Sequence, residues 1–310
     1  MTDHVLALDV GGTKIAAGLV DAQGSVLRRA VRPTPAHDAE LAWQAVADLV
    51  AEVLGGTGSG PMGIRAVGIG SAGPVDAEAG TVSPININGW QAFPLRSRVQ
   101  ALLPGVPVSL AGDGLCIALG EHWLGAGRGS RFMVGMVVST GVGGGLVLDG
   151  KPFGGRTGNA GHIGHVVAEP DGWPCTCGGR GCVETVAGGP NMVRWAREQG
   201  WTGADGIELE RSARAGDPVA AAAFERGGKA VGLAIAAAAA ICDLDLAVIG
   251  GGLSRAGDLL FDPIRQTLDA HAGLSFLRGL RVVQAERDDS GLVGAAALVL
   301  LQAARSGTPS

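Results

Sequence analysis

The tightest constraint on how this chain can fold is a pattern that occurs twice. Val5–Leu8 and Ile15–Val20 are apolar runs separated by "DVGGTK"; "DAQGS" turns the chain again, and Val26–Val31 closes a strand–hairpin–strand–turn–strand unit. The order restarts at "FMVGMVVSTGVGGGLVLDGKPF", where the triplet "VGG" of Val10 returns 132 positions later at Val142. One triplet in a glycine-rich chain carries little weight, but the repeated order of elements carries more. Between the copies, 39–54 has helical spacing at Leu41, Val46, Leu49, Val50 and Val53. "GIRAVGIGSAGPVD" reads as a buried strand entering a Gly-Pro loop, and "VPVSLAGDGLCIALGEHWLGAG" as strand, tight turn and helix. Two similar halves of mixed sheet and helices predict an α/β chain with two lobes and a cleft between them.

Composition narrows the function. The 310 residues are 46% apolar, but aromatics make up only 4% and Tyr is absent, so the core must be Ala, Val, Leu and Ile. The 54 glycines show no collagen-like period, which assigns them to turns and backbone-lined pockets. A net charge of −5 argues against a nucleic-acid surface, though not against a nucleotide. The first residues lack a basic region, a long apolar region and a cleavage signature. The most apolar run, "VGLAIAAAAAICDLDLAVIGGG", is broken by Asp243 and Asp245 and reads as an Ala-rich helix running into a strand. The expectation is a cytoplasmic protein that contacts no membrane, in a compartment that keeps thiols reduced.

Reduced thiols make "CTCGGRGC" a metal motif. His165 with Cys175, Cys177 and Cys182 supplies one imidazole and three thiolates, a tetrahedral set for zinc. With every position filled by protein the zinc would be structural; the alternative is three buried free cysteines. Cys116 and Cys242 lie in apolar helix-like stretches and read as core. "DVGGTK" lacks Walker A spacing, but Gly11, Gly12 and Thr13 could bring amides to a phosphate, Asp9 could hold magnesium, and Lys14 is one of three lysines. A plain hairpin explains that stretch equally well by itself. "STGVGGG" offers Thr140 and Gly141, and "VIGGGLSRAG" offers Gly250, Gly251 and Gly252 where a strand meets a helix N-terminus. Asp113, just before an apolar-periodic run, reads as a helix N-cap on these grounds.

Taken together, "LALDVGGTKIAAGLVD", "VVSTGVGGGLV", "AGHIGH", "CTCGGRGCVE" and "VIGGG" resemble the ROK family of sugar kinases and sugar-responsive repressors, over about residues 5–300. The resemblance implies a two-lobed actin-like and hexokinase-like (ribonuclease H-like) ATPase fold, with ATP, Mg²⁺ and sugar meeting in the interlobe cleft. The division it implies is a small lobe over 1–115, with a C-terminal helix at about 291–306 packing back on it, and a large lobe over 116–290. It implies transfer of the γ-phosphoryl group to a sugar hydroxyl, usually O6, and a zinc that orders the sugar-site loop. It places Asp113 as the general base, Asn86 of "SPININGW" and Glu184 as hydroxyl ligands, and His165 between the metal and the sugar. Asn86 also reads as an ordinary turn residue. Where the family usually has Asn before the catalytic Asp, this chain has Gly112.

His162 is the more informative departure. Glucose-preferring relatives usually carry Glu there, whereas His is similar to the bacterial N-acetylmannosamine kinases that share "AGHIGH" and "VSTGVGGG". Imidazole and carboxylate differ in charge and donor count, so a 2-acetamido sugar becomes the expected acceptor, with glucose as the alternative. Three other functions compete. A sugar-responsive repressor would want a winged helix-turn-helix before the first strand, which begins at Val5; a polyphosphate-dependent kinase would want more basic loops; a catalytically dead sensor would not need Asp113. The resemblance also implies a homodimer or homotetramer.

Overall fold

A computed structural model of the chain describes residues 4–55 and 63–306. In chain order the elements are β1 (His4–Val10), β2 (Lys14–Val20), β3 (Val26–Pro33), α1 (Ala39–Gly55), β4 (Ile64–Ser71), β5 (Val75–Asp76), β6 (Thr81–Val82) and α2 (Leu95–Leu102). Next come β7 (Val108–Gly112), α3 (Asp113–Leu124), β8 (Phe132–Val138), β9 (Val142–Leu148) and β10 (Lys151–Phe153). The chain continues through α4 (Val183–Ala187), α5 (Gly189–Glu198), α6 (Gly206–Arg214) and α7 (Pro218–Cys242). It closes with β11 (Leu246–Gly250), α8 (Asp258–His271), β12 (Arg281–Gln284) and α9 (Ser290–Ser306).

The duplicated pattern becomes two five-stranded sheets of one design, ordered β3-β2-β1-β4-β7 and β10-β9-β8-β11-β12. In each, an antiparallel hairpin (β1–β2, β8–β9) is followed outward by parallel strands, β4 and β7 in one and β11 and β12 in the other. The α/β, two-lobed class expected from the repeat is what the chain adopts. One compact unit comprises Met1–Arg128, Pro152–Ala160 and Arg287–Ser310, and the other Gly129–Lys151 and Gly161–Glu286. The first unit keeps the whole of α3, past the 115/116 division that the resemblance implies. The reason is that α3 packs along α9, and both lie on β4. The 152–160 segment joins the first unit through Asn159, whose amide exchanges hydrogen bonds with the Val75 backbone at 2.9 and 2.7 Å.

Each unit has its own aliphatic core, with Leu6, Leu8, Val67 and Ile69 in the first and Val134, Met136, Ile249 and Phe224 in the second. With aromatics scarce, helices approach closely instead of interleaving large side chains. A β-carbon on Gly120 or Gly294 would collide with the backbone of Ser290 or Cys116 where α3 crosses α9. One on Gly228 would meet the Leu260 carbonyl at 2.8 Å where α7 crosses α8. The glycine excess therefore serves helix crossings as well as the turns and pockets the composition pointed to. Helix α7 begins where Asp217 accepts from the Ala220 N–H, with Pro218 at its first position. No described helix is long and apolar enough to cross a membrane.

Candidate active site

In the first unit the parallel strands β1, β4 and β7 end side by side, and the carboxyl ends of such strands are where open α/β sheets bind ligands. Asp9 is the penultimate residue of β1 and Asp113 follows β7 directly. The tight turn expected between β7 and α3 does not form, because Gly112 both ends the strand and caps the helix. Asp113 is therefore the first helical residue and not the N-cap, and its Oδ1 accepts from the Gly114 N–H at 2.7 Å. Asp9 keeps some solvent exposure, yet its carboxyl is enclosed enough that burial, reinforced by the negative Asp113, lifts its pKa to about 6. Lys14 and Arg29 oppose that rise. Behind them Cys116 is fully buried, and burial followed by both carboxylates holds its thiol well above the ordinary value. That makes it the inert core cysteine the sequence indicated.

The β1–β2 loop is a tight hairpin whose Gly11 N–H is committed to the Lys14 carbonyl at 3.0 Å, while its carbonyl accepts from the Thr34 hydroxyl at 2.7 Å. Thr13 and Lys14 are exposed. Asn86 is also exposed, and its amide lies against the Cα of Gly12. Sequence reasoning passed over Glu121, although a lone carboxylate in an apolar helix was the available signal. Fully buried, it accepts from the Arg287 and Ala126 N–H groups at 3.0 and 2.9 Å and from the Ser290 hydroxyl at 2.5 Å. It thereby fixes the start of α9, where Gly291 packs against the Asp9 carboxylate.

In the second unit the loops 139–141 and 250–252 follow neighbouring parallel strands, β8 and β11. They touch: a β-carbon on Gly251 (φ +91°) would meet the Val138 carbonyl, and one on Gly252 would lie 3.5 Å from the Ser139 hydroxyl. The helix expected straight after "VIGGG" is a short 3₁₀ turn, Gly252–Ala256, and α8 starts only at Asp258 because Gly257 adopts φ +59° between them. Glu184, in the first turn of α4, turns its carboxylate onto the 139–141 loop, where Oε2 accepts from the Val142 N–H at 3.1 Å. His162 is exposed beside His165, with the rings near-parallel and 6.0 Å apart.

His165, Cys175, Cys177 and Cys182 come together, with one ligand atom from each, all within 4.8 Å of one another. The Cys177 and Cys182 sulfurs are 3.7 Å apart, and the His165 Nδ1 is 3.7 Å from the Cys175 sulfur. Ligands at tetrahedral Zn–S and Zn–N distances would be about 3.8 and 3.6 Å apart, so the donor set fits zinc. Nδ1 faces the sulfurs, which leaves Nε2 of His165 on the other side of the ring. Burial and the sulfurs of Cys175 and Cys177 push the Cys182 thiol up to about 12. The Gly179 N–H, then the Cys175 sulfur, holds Cys177 below the usual thiol value. Thiols packed so closely ionise together only against a cation, which couples metal binding to proton release. The loop folds back on itself at Gly181 (φ +66°), where a β-carbon would overlap the Glu169 carbonyl.

That loop is also clasped to the helices, which no motif announced. Arg226 of α7 holds Glu169 through two bonds of 2.8 and 2.6 Å. Trp173 receives Arg194 at 3.9 Å and Arg226 at 5.5 Å from its ring centroid.

A sequence profile of the ROK family matches residues 5–302. The chain is 36% identical over 314 residues to a glucokinase of Thermotoga maritima, covering 95% of this chain and 96% of the relative. It is 34% identical over 299 residues to an N-acetylmannosamine kinase of Salmonella typhi, covering 94% and 97%. Among solved structures, a ROK family glucokinase from Streptomyces griseus in complex with glucose and AMPPNP is 35% identical with a TM-score of 0.81, covering 95% of this chain and 98% of that one.

Proposed function

We propose, for a chain that belongs to the ROK family and is a sugar kinase, that it transfers the γ-phosphoryl group of ATP to O6 of a hexose or N-acetylhexosamine. The observation that carries the assignment is the pair of carboxylates at the ends of β1 and β7, with the Asn86 amide packed on the intervening hairpin loop's Gly12. Asp113 accepts the proton of the attacking hydroxyl, which is a poor nucleophile until a positioned carboxylate takes it. Asn86 and Glu184 hold other hydroxyls, and His162 and His165 face the ring. Asp9 binds the Mg²⁺ of the nucleotide, which neutralises charge developing on the phosphates. Gly12, Thr13, Lys14, Thr140, Gly141 and Gly250–Gly252 line the phosphate path. Zinc on His165 and the three cysteines fixes the loop that carries the acceptor-side residues and takes no part in the transfer.

His162 supports a 2-acetamido sugar, because a neutral imidazole donates at one nitrogen and accepts at the other, whereas an ionised carboxylate only accepts. Glucose is the second reading, and the glucokinase relatives favour it. A coupled ADP-release assay over glucose, mannose, N-acetylglucosamine, N-acetylmannosamine and fructose decides between them. N-acetylmannosamine should be used at least as well as glucose, and His162→Glu should move the preference toward glucose by about ten- to a hundredfold. A strong glucose preference that the variant leaves unchanged makes His162 a scaffold residue and the protein a glucokinase.

A further inference from the structure

Two of the loop glycines assigned to the phosphate path have a second reason to lack a side chain. Gly12 does not adopt a positive φ, and the three nearest atoms to its missing β-carbon are all side-chain atoms, the Asn86 Nδ2, Cγ and Oδ1, close enough to overlap it. Gly141, in the matching hairpin of the second unit, repeats the arrangement: the atoms nearest its missing β-carbon are Oε2 of Glu184, at 2.5 Å, and Cδ, at 3.4 Å. Gly143, two residues on, has open space where its β-carbon would be. We propose that Gly12 and Gly141 are positioning residues for the acceptor, each a seat on which one hydroxyl-holding side chain rests, Asn86 in the first unit and Glu184 in the second. The inference builds on the sugar-kinase reading and on the roles given there to Asn86 and Glu184.

The geometry has a chemical consequence. In each unit the side chain that orients the acceptor leans directly on the loop assigned to the donor phosphates, and Glu184 also accepts from the N–H of Val142, where that loop enters β9. Filling either seat with a methyl group must turn the acceptor-side group away, since the atoms in its path lie beyond the β-carbon of Asn86 or Glu184. The damage therefore falls on acceptor binding before it reaches the nucleotide.

The test is a set of steady-state measurements on Gly12→Ala, Asn86→Ala and their double variant, then Gly141→Ala, Glu184→Ala and theirs, with Gly143→Ala as control. Acceptor affinity is also titrated by calorimetry without ATP. Gly12→Ala and Gly141→Ala should raise the acceptor KM by about tenfold or more, at least about threefold beyond any rise in the ATP KM. In the Asn86→Ala or Glu184→Ala background the matching glycine substitution should add less than about threefold, because the seat no longer has an occupant. Gly143→Ala should leave the acceptor KM unchanged. The proposal is overturned if the glycine variants raise the ATP KM instead, or if their acceptor penalty persists in full in the alanine backgrounds. Wild-type protein that forms no sugar phosphate with any sugar of the panel would overturn the sugar-kinase reading itself; a working kinase with the wrong KM split overturns only the seating.

Discussion

In the first unit the loop between β1 and β2 lies beside two carboxylates, Asp9 and Asp113, one of which is forced toward its protonated form. In the second, the matching loop between β8 and β9 meets one carboxylate, Glu184, whose Oε2 is hydrogen-bonded to the Val142 N–H, and the chain then leads into a cysteine loop clasped to α7. The strand order is the same in both, so the frame does not explain the difference. The difference lies downstream of each hairpin: β7 delivers Asp113 to the first, and the 161–184 segment delivers the cluster of His165 and three cysteines to the second. On the proposed function, the first copy of the frame carries the charge for chemistry and the second the rigid loop for binding.

The largest effect that would break this contrast comes from Asp113→Asn. It should keep the fold and lower turnover by roughly 10²- to 10⁴-fold. Turnover within a factor of three of wild type would put the base elsewhere and return Asp113 to a helix-start role. Next is the metal. Elemental analysis should find about one zinc per chain, and Cys182→Ser should lose most of it with a sugar affinity roughly tenfold weaker. Less than about half a zinc per chain in fully active wild-type protein would remove the metal from the account.

Much of this was legible in the sequence, for identifiable reasons. The two hairpins are visible because apolar runs of strand length are separated by glycine loops, and the meeting of His165 with the three cysteines because soft donors at that spacing have few other uses. Asp113 reads as a cap because an Asp before an apolar run looks the same whether it caps the helix or occupies its first turn; only Gly112 taking the cap separates the two. Glycines at helix crossings were invisible, since Gly120, Gly228 and Gly294 owe their identity to backbone far away in sequence. The Glu169–Arg226 clasp and the Asn86–Gly12 contact escaped for the same reason: 57 residues separate the first pair.

Smaller effects sharpen the comparison. The folded-state pKa of Asp9, about 6, exceeds the unfolded carboxylate value of about 3.9, so the folded state holds its proton more tightly. Ionising Asp9 therefore costs stability: the penalty is absent below about pH 4, grows to about pH 6 and is full above it. Asp9→Asn should stabilise the metal-free protein by roughly 2–3 kcal/mol at pH 8 and by almost nothing at pH 4, read from denaturant melts. An equal shift at both pH values would mean the carboxyl is not strained. Smallest is the clasp. Arg226→Met should release zinc to a chelating dye roughly three- to tenfold faster while leaving the melting temperature within a few degrees; an unchanged release rate would show that the metal ligands alone hold the loop.

The division of labour is tested most directly by comparing two proteins in one assay, the Asp113→Asn variant and wild type stripped of zinc. The account predicts that the variant loses kcat with its acceptor KM nearly unchanged, and that the stripped protein loses acceptor KM by about tenfold while keeping kcat within a few-fold. A stripped protein whose kcat collapses at saturating sugar, or a variant whose loss lies in KM alone, would contradict it.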